Sequence, residues 1–415
     1  MPPAGDRGGN ADVALLFVTR TLRMFGYGFL AVVLVLYLAA IGLSGAEIGL
    51  LLALTLLGDA VVSLWLTVHA DRIGRRRVLV VGAVLMLVAG IVFVATPVFV
   101  VLVVAATMGV LSPSGNEVGP FLAVEQASLS QLIPGRRRTG VFAWYQLAGS
   151  FATAAGALVG GIVSQLALGQ GAAAPDAYRL VIVGYALVGG ALAVLFTRVS
   201  AHVEVAPGDA PEVAVRDRLG LHRSRGVVLR MSILFALDAF AGGFVIQSFI
   251  AFWFHQRFGV DPAALGLLLA GANLIAGISA LAAGRLAARF GLIRTMVFTH
   301  LPSNLLLMLV PLMPTLPLAA GTLLVRHAIS QMDVPARQSY TMAIVAPDER
   351  SAAAGITGIA RSLGVAAAPL IAGPLFATAA LASLPFLIAG GIKVGYDLLL
   401  FRGFSRLHPP EELDD

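Results

Sequence analysis

The chain of 415 residues carries one apolar segment twice. Residues 42–53, GLSGAEIGLLLA, return as residues 259–270, GVDPAALGLLLA, and seven of the twelve positions are identical. Such a repeat indicates that the fold contains two copies of one unit. Apolar repeated units are typical of secondary transporters, in which two halves surround a central binding site. The repeat therefore predicts a two-unit membrane protein that moves a solute across a bilayer.

The composition requires lipid rather than water as the surroundings of most of the chain. Hydrophobic residues make up 58%, charged residues 12%, and the mean hydropathy is +0.91, whereas about a quarter of a soluble domain is charged. Because a membrane-crossing helix needs about 20 apolar residues, we predict an all-α membrane protein with twelve spans. Numbered in chain order, they are 14–40, 46–68, 77–95, 98–131, 140–167, 179–198, 228–254, 262–287, 293–313, 316–345, 353–378 and 384–402.

The repeat also predicts the domain organisation. An N-terminal six-helix bundle is expected at 1–199 and a C-terminal one at 227–415, joined by a polar cytoplasmic linker at 200–226. The loops after spans 2, 4, 6, 8 and 10 carry arginines, whereas loops such as 96–97 carry no charge. Because arginine-rich loops stay in the cytoplasm, we expect both termini there, in the inner (cytoplasmic) membrane, and we expect a monomer.

Several functional classes lack their required residues. The chain has no cysteine, and its one lysine, Lys393, is followed by Val394, so the Gly-Lys-Ser/Thr of an ATP-binding loop is missing. No zinc-protease or nucleophile motif is present, so we expect neither an enzyme nor a bound cofactor or metal. The net charge of +6 lies in the loops, and we expect no binding of nucleic acid. We then expect the solute to move down its own concentration gradient or to be driven by an ion gradient.

The loop between spans 2 and 3 carries a recognisable motif. It reads Asp71-Arg72-Ile73-Gly74-Arg75-Arg76-Arg77, in which glycine suits a turn with positive φ and the carboxylate can accept hydrogen bonds from a nearby arginine. The motif resembles the G-x-x-x-D-R-x-G-R-R/K loop of the major facilitator superfamily, with Thr67 in place of the leading glycine. The resemblance implies twelve helices in two pseudo-symmetric bundles, alternating access, and a gating role for Asp71, Arg72, Gly74 and Arg75. The alternative is a basic turn that only sets topology.

Span 5 contains Gly156-Ala157-Leu158-Val159-Gly160-Gly161. This segment is similar to the G-P-x-x-G-G element of the superfamily's antiporters, with Ala157 in the proline position. Small residues at this spacing also let two helix backbones approach closely. The element therefore indicates either antiport or tight packing.

Charged residues inside the spans are the strongest functional signal, because ionisable groups at membrane depth are costly unless they are paired or hydrated. Arg23 in span 1 and Asp238 in span 7 occupy equivalent places in the repeat. The resemblance implies that spans 1, 4, 7 and 10 line the cavity, so these two residues either pair with each other or handle substrate or protons. Lys393 and Asp397 in span 12 are expected to form an i,i+4 pair.

Spans 4 and 10 hold further candidates. Two prolines and two glycines between Ser112 and Pro120 predict a kink or unwinding, and Glu117 lies there. A carboxyl at this depth suits a proton carrier, or it is simply hydrogen-bonded within the bundle. In span 10, Asp333 and Arg337 are spaced for an intrahelical ion pair.

Two transport functions stay open at this level, beside a membrane-embedded enzyme or receptor, for which the sequence offers no motif. The first is efflux of a small organic molecule by proton antiport, and the second is uptake or exchange of an anionic metabolite clamped by Arg23 and Arg326. The candidate proton carriers are Glu117, Asp238 and Asp333. The candidate cavity residues are Arg23, Tyr27, Asn116, Glu125, Phe240, Arg326, His327, Gln331 and Arg337.

Overall fold

A computed structural model of the protein describes residues 6–204, 222–346 and 349–405. These residues form α-helices joined by short turns, and no strand occurs among them. The helices are α1 (Asp6–Ala31), α2 (Leu34–Ala40), α3 (Gly45–Ile73), α4 (Arg75–Ala95), α5 (Phe99–Met108), α6 (Phe121–Leu132), α7 (Gly135–Gly169), α8 (Ala174–Thr197), α9 (Arg225–Gly243), α10 (Gln247–Phe258), α11 (Pro262–Phe290), α12 (Leu292–Leu309), α13 (Leu316–Ser330), α14 (Asp333–Ile344), α15 (Arg350–Ala367), α16 (Pro369–Ala377) and α17 (Leu384–Phe404).

Each of the twelve predicted spans corresponds to one helix or to a pair of consecutive helices. In the described part of the chain, ten stretches are long and apolar enough to cross a membrane, including Asn10–Ala40 and Arg225–Phe258, which each join two helices. The two other predicted spans, 4 and 10, are the shorter pairs α5–α6 and α13–α14. The prediction of an all-α membrane fold with twelve spans is confirmed.

Within the part of the chain that the structure describes, five of the twelve spans are divided into two consecutive helices, namely spans 1, 4, 7, 10 and 11. Spans 1 and 7 hold equivalent positions in the two sequence repeats, and so do spans 4 and 10. Span 4 has the widest interruption, from Met108 to Phe121. Gly115 and Gly119 there adopt φ angles of +68° and +81°, which side chains other than glycine rarely tolerate. The prolines of this segment also lack an N–H for a helical hydrogen bond. The predicted kink of span 4 is therefore a complete break.

The chain divides into two compact units. Unit 1 comprises Met1–Glu212 and Gln247–Ala270, and unit 2 comprises Val213–Ile246 and Gly271–Asp415. In unit 1, the Ser248 hydroxyl contacts two backbone oxygens, those of Ala31 at 2.8 Å and Pro113 at 2.6 Å. Most of the predicted linker, 205–221, lies outside the described residues, and the predicted domain limits stay predictions.

Glycines bring helix backbones into contact within both units. A Cβ atom added to Gly156 would lie 2.0 Å from the carbonyl oxygen of Phe25, so α7 packs directly on α1. In unit 2, a Cβ added to Gly364 would lie 2.3 Å from the carbonyl oxygen of Ala236, which joins α15 to α9 in the same way. The glycine-rich element of span 5 thus serves close packing, whereas its link to antiport stays a prediction.

Candidate functional site

A buried charge cluster in unit 1 is built on α1 and on the break in span 4. Arg20 and Arg23, one turn apart on α1, are 1% and 0% exposed. Arg20 Nη1 lies 2.7 Å from one carboxylate oxygen of Glu117, and Arg23 Nε lies 2.9 Å from the other. The two oxygens of Glu117 are therefore held by different arginines, while its side chain stays 14% exposed.

A second carboxylate, that of Glu125 on α6, completes this cluster. Arg23 binds Glu125 through both guanidinium Nη atoms, at 2.6 and 2.7 Å, and the Tyr145 hydroxyl also donates to Glu125. Arg20 donates to the Tyr145 carbonyl at 2.9 Å and to Gln146 Oε1 at 2.8 Å. We call Arg20, Arg23, Glu117 and Glu125 the α1 cluster. It contains two cations and two carboxylates, so its formal charges balance.

Side chains also satisfy backbone groups freed by the break in span 4. The Tyr27 hydroxyl donates to the Val118 carbonyl at 3.1 Å, and the Gly119 amide donates to Asp59 of α3 at 2.7 Å. Broken backbone at membrane depth needs such partners because lipid offers none. The side chain of Asn116, another predicted cavity residue, is exposed.

The second charge cluster lies in unit 2 around Asp238 of α9, which is 4% exposed. Its carboxylate accepts from Lys393 at 2.5 Å, from Arg337 at 3.1 Å and from Arg361 at 3.4 Å. The predicted intrahelical pair of Asp333 and Arg337 is confirmed at 3.3 Å. We call Asp238 and its neighbours Asp333, Arg337, Arg361 and Lys393 the Asp238 cluster.

A histidine of α12 joins this cluster to a third carboxylate. His300 Nδ1 lies 2.8 Å from Asp397, and its Nε2 lies 3.8 Å from Asp238. Asn304, one turn along α12, donates to Asp397 at 2.9 Å. Asp238 and Asp397 thus face opposite sides of one buried imidazole ring.

Basic side chains outnumber carboxylates in this part of unit 2. Arg326 on α13 interacts electrostatically with Asp333 and Asp238, and its Nε has no hydrogen-bond partner within the described structure. Together with Arg337, Arg361 and Lys393 it gives four cations, against the carboxylates of Asp238, Asp333 and Asp397. His327, beside Arg326, is hydrogen-bonded to the Leu323 carbonyl at 2.8 Å. The region therefore carries one formal positive charge more than negative charges when His300 is neutral.

The structure gives other partners to residues that the sequence suggests as pairs. A pair of Arg23 and Asp238 is one of two interpretations of the sequence, beside a role in handling substrate or protons; Arg23 binds Glu117 and Glu125, and Asp238 binds Lys393 and two arginines. The predicted pair of Lys393 and Asp397 is wrong, because Lys393 binds Asp238 and Asp397 binds His300 and Asn304. In both cases a carboxylate on a different helix offers a closer contact than spacing along the sequence suggests.

Other predicted cavity residues occupy more peripheral places. Phe240 is half-buried and packs edge-on against Phe244, with ring centroids 5.1 Å apart. Gln331 is exposed in the break between α13 and α14. The sequence interpretation overlooked Tyr145, His300 and Asn304. The last two are polar residues spaced i,i+4 in an apolar span, a pattern that could have revealed them.

Residues of the motif loop between α3 and α4 form hydrogen bonds with one another and with Glu204, all within unit 1. Gly74 has a φ angle of 105°, as its position in the turn required. Arg75 Nε binds Asp71 at 2.8 Å, and the carboxylate of Glu204 accepts from the Arg75 backbone amide at 2.7 Å. Arg72 is exposed. The structure shows a well-anchored loop, and its gating role stays a prediction.

Comparisons with known proteins agree with this architecture. The family model of the Major Facilitator Superfamily matches residues 16–325 and 231–414. The membrane protein YJR124C of Saccharomyces cerevisiae is 31% identical over 417 residues, covering 94% of this chain and 93% of that protein. The quinolone resistance protein NorA of Staphylococcus aureus is 29% identical over 103 residues, which is 25% of this chain and 26% of NorA.

Solved structures share the fold at low sequence identity. The D-xylose-proton symporter superposes with a TM-score of 0.73 at 17% identity, covering 96% of this chain and 98% of that one. The nucleoside transporter NupG gives a TM-score of 0.71 at 12% identity, with 95% and 99% covered. The matches to the family model and to the yeast protein extend over nearly the whole chain, and the protein is therefore a member of the Major Facilitator Superfamily.

Proposed function

We propose that this transporter exports a small organic molecule in exchange for protons, with Glu117 as the proton carrier. Membership of the superfamily makes the chain a multi-pass membrane transporter of a small molecule that works by alternating access. The main support for Glu117 as the proton carrier is its exposure: its side chain is 14% exposed, whereas that of Glu125 is fully buried. In the α1 cluster, Glu117 is therefore the carboxylate that water and solute can reach.

A proton can bind to Glu117 while most hydrogen bonds of the α1 cluster remain in place. A protonated Glu117 loses its charge and can no longer hold both arginines as an ionised carboxylate. Arg23 would keep its two hydrogen bonds to Glu125, and Arg20 would keep those to Tyr145 and Gln146. Protonation thus adds one positive charge to the cluster while its helices stay joined. A substrate that favours ionised Glu117 would compete with the proton, as antiport requires. Asp238 and Asp333 are the secondary candidates for the carrier.

The test is proton release when a compound is added to the detergent-solubilised protein. The compounds include a quinolone, a lipophilic cation and a small dicarboxylate. The local likeness to NorA, a quinolone resistance protein, supports the choice of a quinolone. We expect wild type and a Glu47→Gln control to release protons, and Glu117→Gln to bind the compound without release. Unchanged release from Glu117→Gln would contradict the assignment and move the carrier to Asp238 or Asp333.

A second candidate function is uptake or exchange of an anionic metabolite. The four cations of the Asp238 region, Arg326 included, exceed its three carboxylates, and the Arg361 side chain is 36% exposed, so an anion could reach it. Arg23 supports this alternative less well, since Glu125 already occupies both of its Nη atoms. Binding of the dicarboxylate that is lost in Arg361→Gln but kept in the exposed control Arg230→Gln, without proton release, would favour anion exchange. Binding unaffected by Arg361→Gln would exclude it.

We further propose that both termini lie in the cytoplasm, that the inner membrane holds the protein, and that it acts as a monomer. The arginine-rich loops support this orientation, because positively charged loops remain on the cytoplasmic side. Protease digestion of a C-terminal tag in right-side-out vesicles tests it. Cleavage of the tag by protease added outside the vesicles would contradict the proposed cytoplasmic C-terminus. A dimeric mass in detergent would contradict the proposed monomer.

A further inference from the structure

A groove with one polar corner runs along the outer side of unit 2, outside both charge clusters. It has a volume of about 590 Å³ and is bordered by α11, α12 and α17. Phe290, Phe298 and Phe401 supply most of its apolar wall, and Phe298 is 63% exposed. Aromatic surface of this kind suits an acyl chain.

The polar corner is formed by the first turn of α12. Arg294 is exposed, and no carboxylate in the described part of the chain pairs with it. Its neighbour Thr295 also lines the groove and is 3% exposed, yet its Oγ1 has no hydrogen-bond partner among the described residues. A buried hydroxyl without a partner is costly. The groove is therefore lined by one exposed cation and by a threonine whose buried hydroxyl has no partner among the described residues.

The arginines around the groove favour a negatively charged occupant. Arg289 stacks on Phe290, with its guanidinium carbon 5.3 Å from the ring centroid, so a second cation lies at the rim. Arg289 lies in the last turn of α11 and Arg294 in the first turn of α12, on either side of Gly291, and the positive-inside rule assigns these basic helix ends to the cytoplasmic headgroup layer. Basic residues at this depth attract anionic lipid headgroups. A small soluble anion would leave the aromatic wall unused.

We propose that this groove binds one anionic phospholipid. Its acyl chain lies along Phe298 and Phe401, its phosphate and charged headgroup contact Arg294, and Thr295 Oγ1 donates to a glycerol ester oxygen. The site requires only that the protein lies in a bilayer, so it is independent of the proposed proton coupling.

Native mass spectrometry of the full chain in detergent tests the proposal, with palmitoyl-oleoyl phosphatidylglycerol and phosphatidylcholine as probes. One arginine at a membrane surface contributes ~1 kcal/mol, so we expect the wild type to prefer phosphatidylglycerol about fivefold. Arg294→Gln should clearly reduce this preference, with Arg289 left as the remaining cation at the rim, and the control Arg230→Gln should keep it. Equal binding of the two lipids by the wild type, or a preference that Arg294→Gln leaves undiminished, would overturn the proposal.

A second variant separates the ester contact from the headgroup contact. Thr295→Val keeps the shape of the side chain but removes the hydroxyl, and both lipids carry the same ester groups. We expect it to weaken binding of both lipids by a similar factor while the preference for phosphatidylglycerol remains. Unchanged binding of both lipids would overturn the assignment of Thr295 as a ligand.

Discussion

Arg23 and Glu125 form a doubly hydrogen-bonded ion pair in which neither side chain is exposed to any measurable extent. Their two N–O distances are 2.6 and 2.7 Å, and the guanidinium also lies over the ring of Phe121, 4.5 Å from its centroid. Two parallel hydrogen bonds of this kind fix orientation as well as distance. The pair thus ties α1 to α6, the helix that follows the break in span 4.

Removing one partner of this pair should be strongly destabilising. Glu125→Gln leaves the buried Arg23 with Glu117, which it shares with Arg20, so the α1 cluster carries one uncompensated positive charge. Breaking a buried ion pair in this way typically costs about 3–5 kcal/mol. We expect a lower free energy of unfolding in detergent micelles, measured by denaturant titration. The double variant Arg23→Gln with Glu125→Gln should recover part of the loss, because it buries no uncompensated charge. A loss below about 1 kcal/mol in Glu125→Gln would contradict the role of the pair.

Patterns along the chain predict the spans well, because about 20 apolar residues in a row have few alternatives to a membrane helix. The break in span 4 can also be predicted from the sequence, because prolines and glycines disrupt a helix at their own positions. The partners of charged residues cannot be predicted in this way where they lie on other helices. On sequence grounds Arg23 is a candidate partner of Asp238, and Asp397 is the expected partner of Lys393. Only the packing of α9 against α17 brings Lys393 to within 2.5 Å of Asp238.

The contact of α1 with α7 predicts different effects on stability when two glycines of α7 are replaced by alanine. Gly156→Ala would place a methyl group 2.0 Å from the Phe25 carbonyl oxygen, so the helices would have to separate. Gly140→Ala in the same helix meets nothing within 4 Å and should be neutral or stabilise by up to ~1 kcal/mol through helix propensity. Thermal unfolding in detergent should show a large decrease for Gly156→Ala only. Similar melting temperatures for the two variants would refute this account of the packing.

The carboxylate of Glu349, which lies outside the membrane spans, predicts a pH-dependent contribution to stability. The Ser224 side chain and the backbone amides of His222, Arg223 and Ser224 donate to it, and these hydrogen bonds lower the pKa of Glu349 from 4.5 to about 2. A lowered pKa stabilises the folded protein above pH 4.5, and this contribution is lost as the pH falls towards 2.

Glu349→Gln should therefore unfold at a lower temperature than the wild type at neutral pH. The difference between the two proteins should shrink as the pH falls below 4.5, since protonated Glu349 resembles glutamine. Thermal unfolding at a series of pH values measures this difference. A constant difference across the whole series would show that the charge of Glu349 contributes nothing.

The Asp238 cluster predicts an asymmetry between removing its central anion and removing one of its cations. Lys393→Met leaves Asp238 with two arginines, whereas Asp238→Asn leaves Lys393 and Arg361 without a carboxylate in contact. Arg337 keeps Asp333 in both cases. Because an unpaired buried charge costs about 3–5 kcal/mol, we expect Asp238→Asn to lose the larger share of the unfolding free energy.

Adding Lys393→Met to Asp238→Asn should restore part of that loss, since it removes one of the unpaired cations. Denaturant titration of the three variants in the same detergent measures this, and a double variant less stable than Asp238→Asn alone would show that Lys393 has another essential partner.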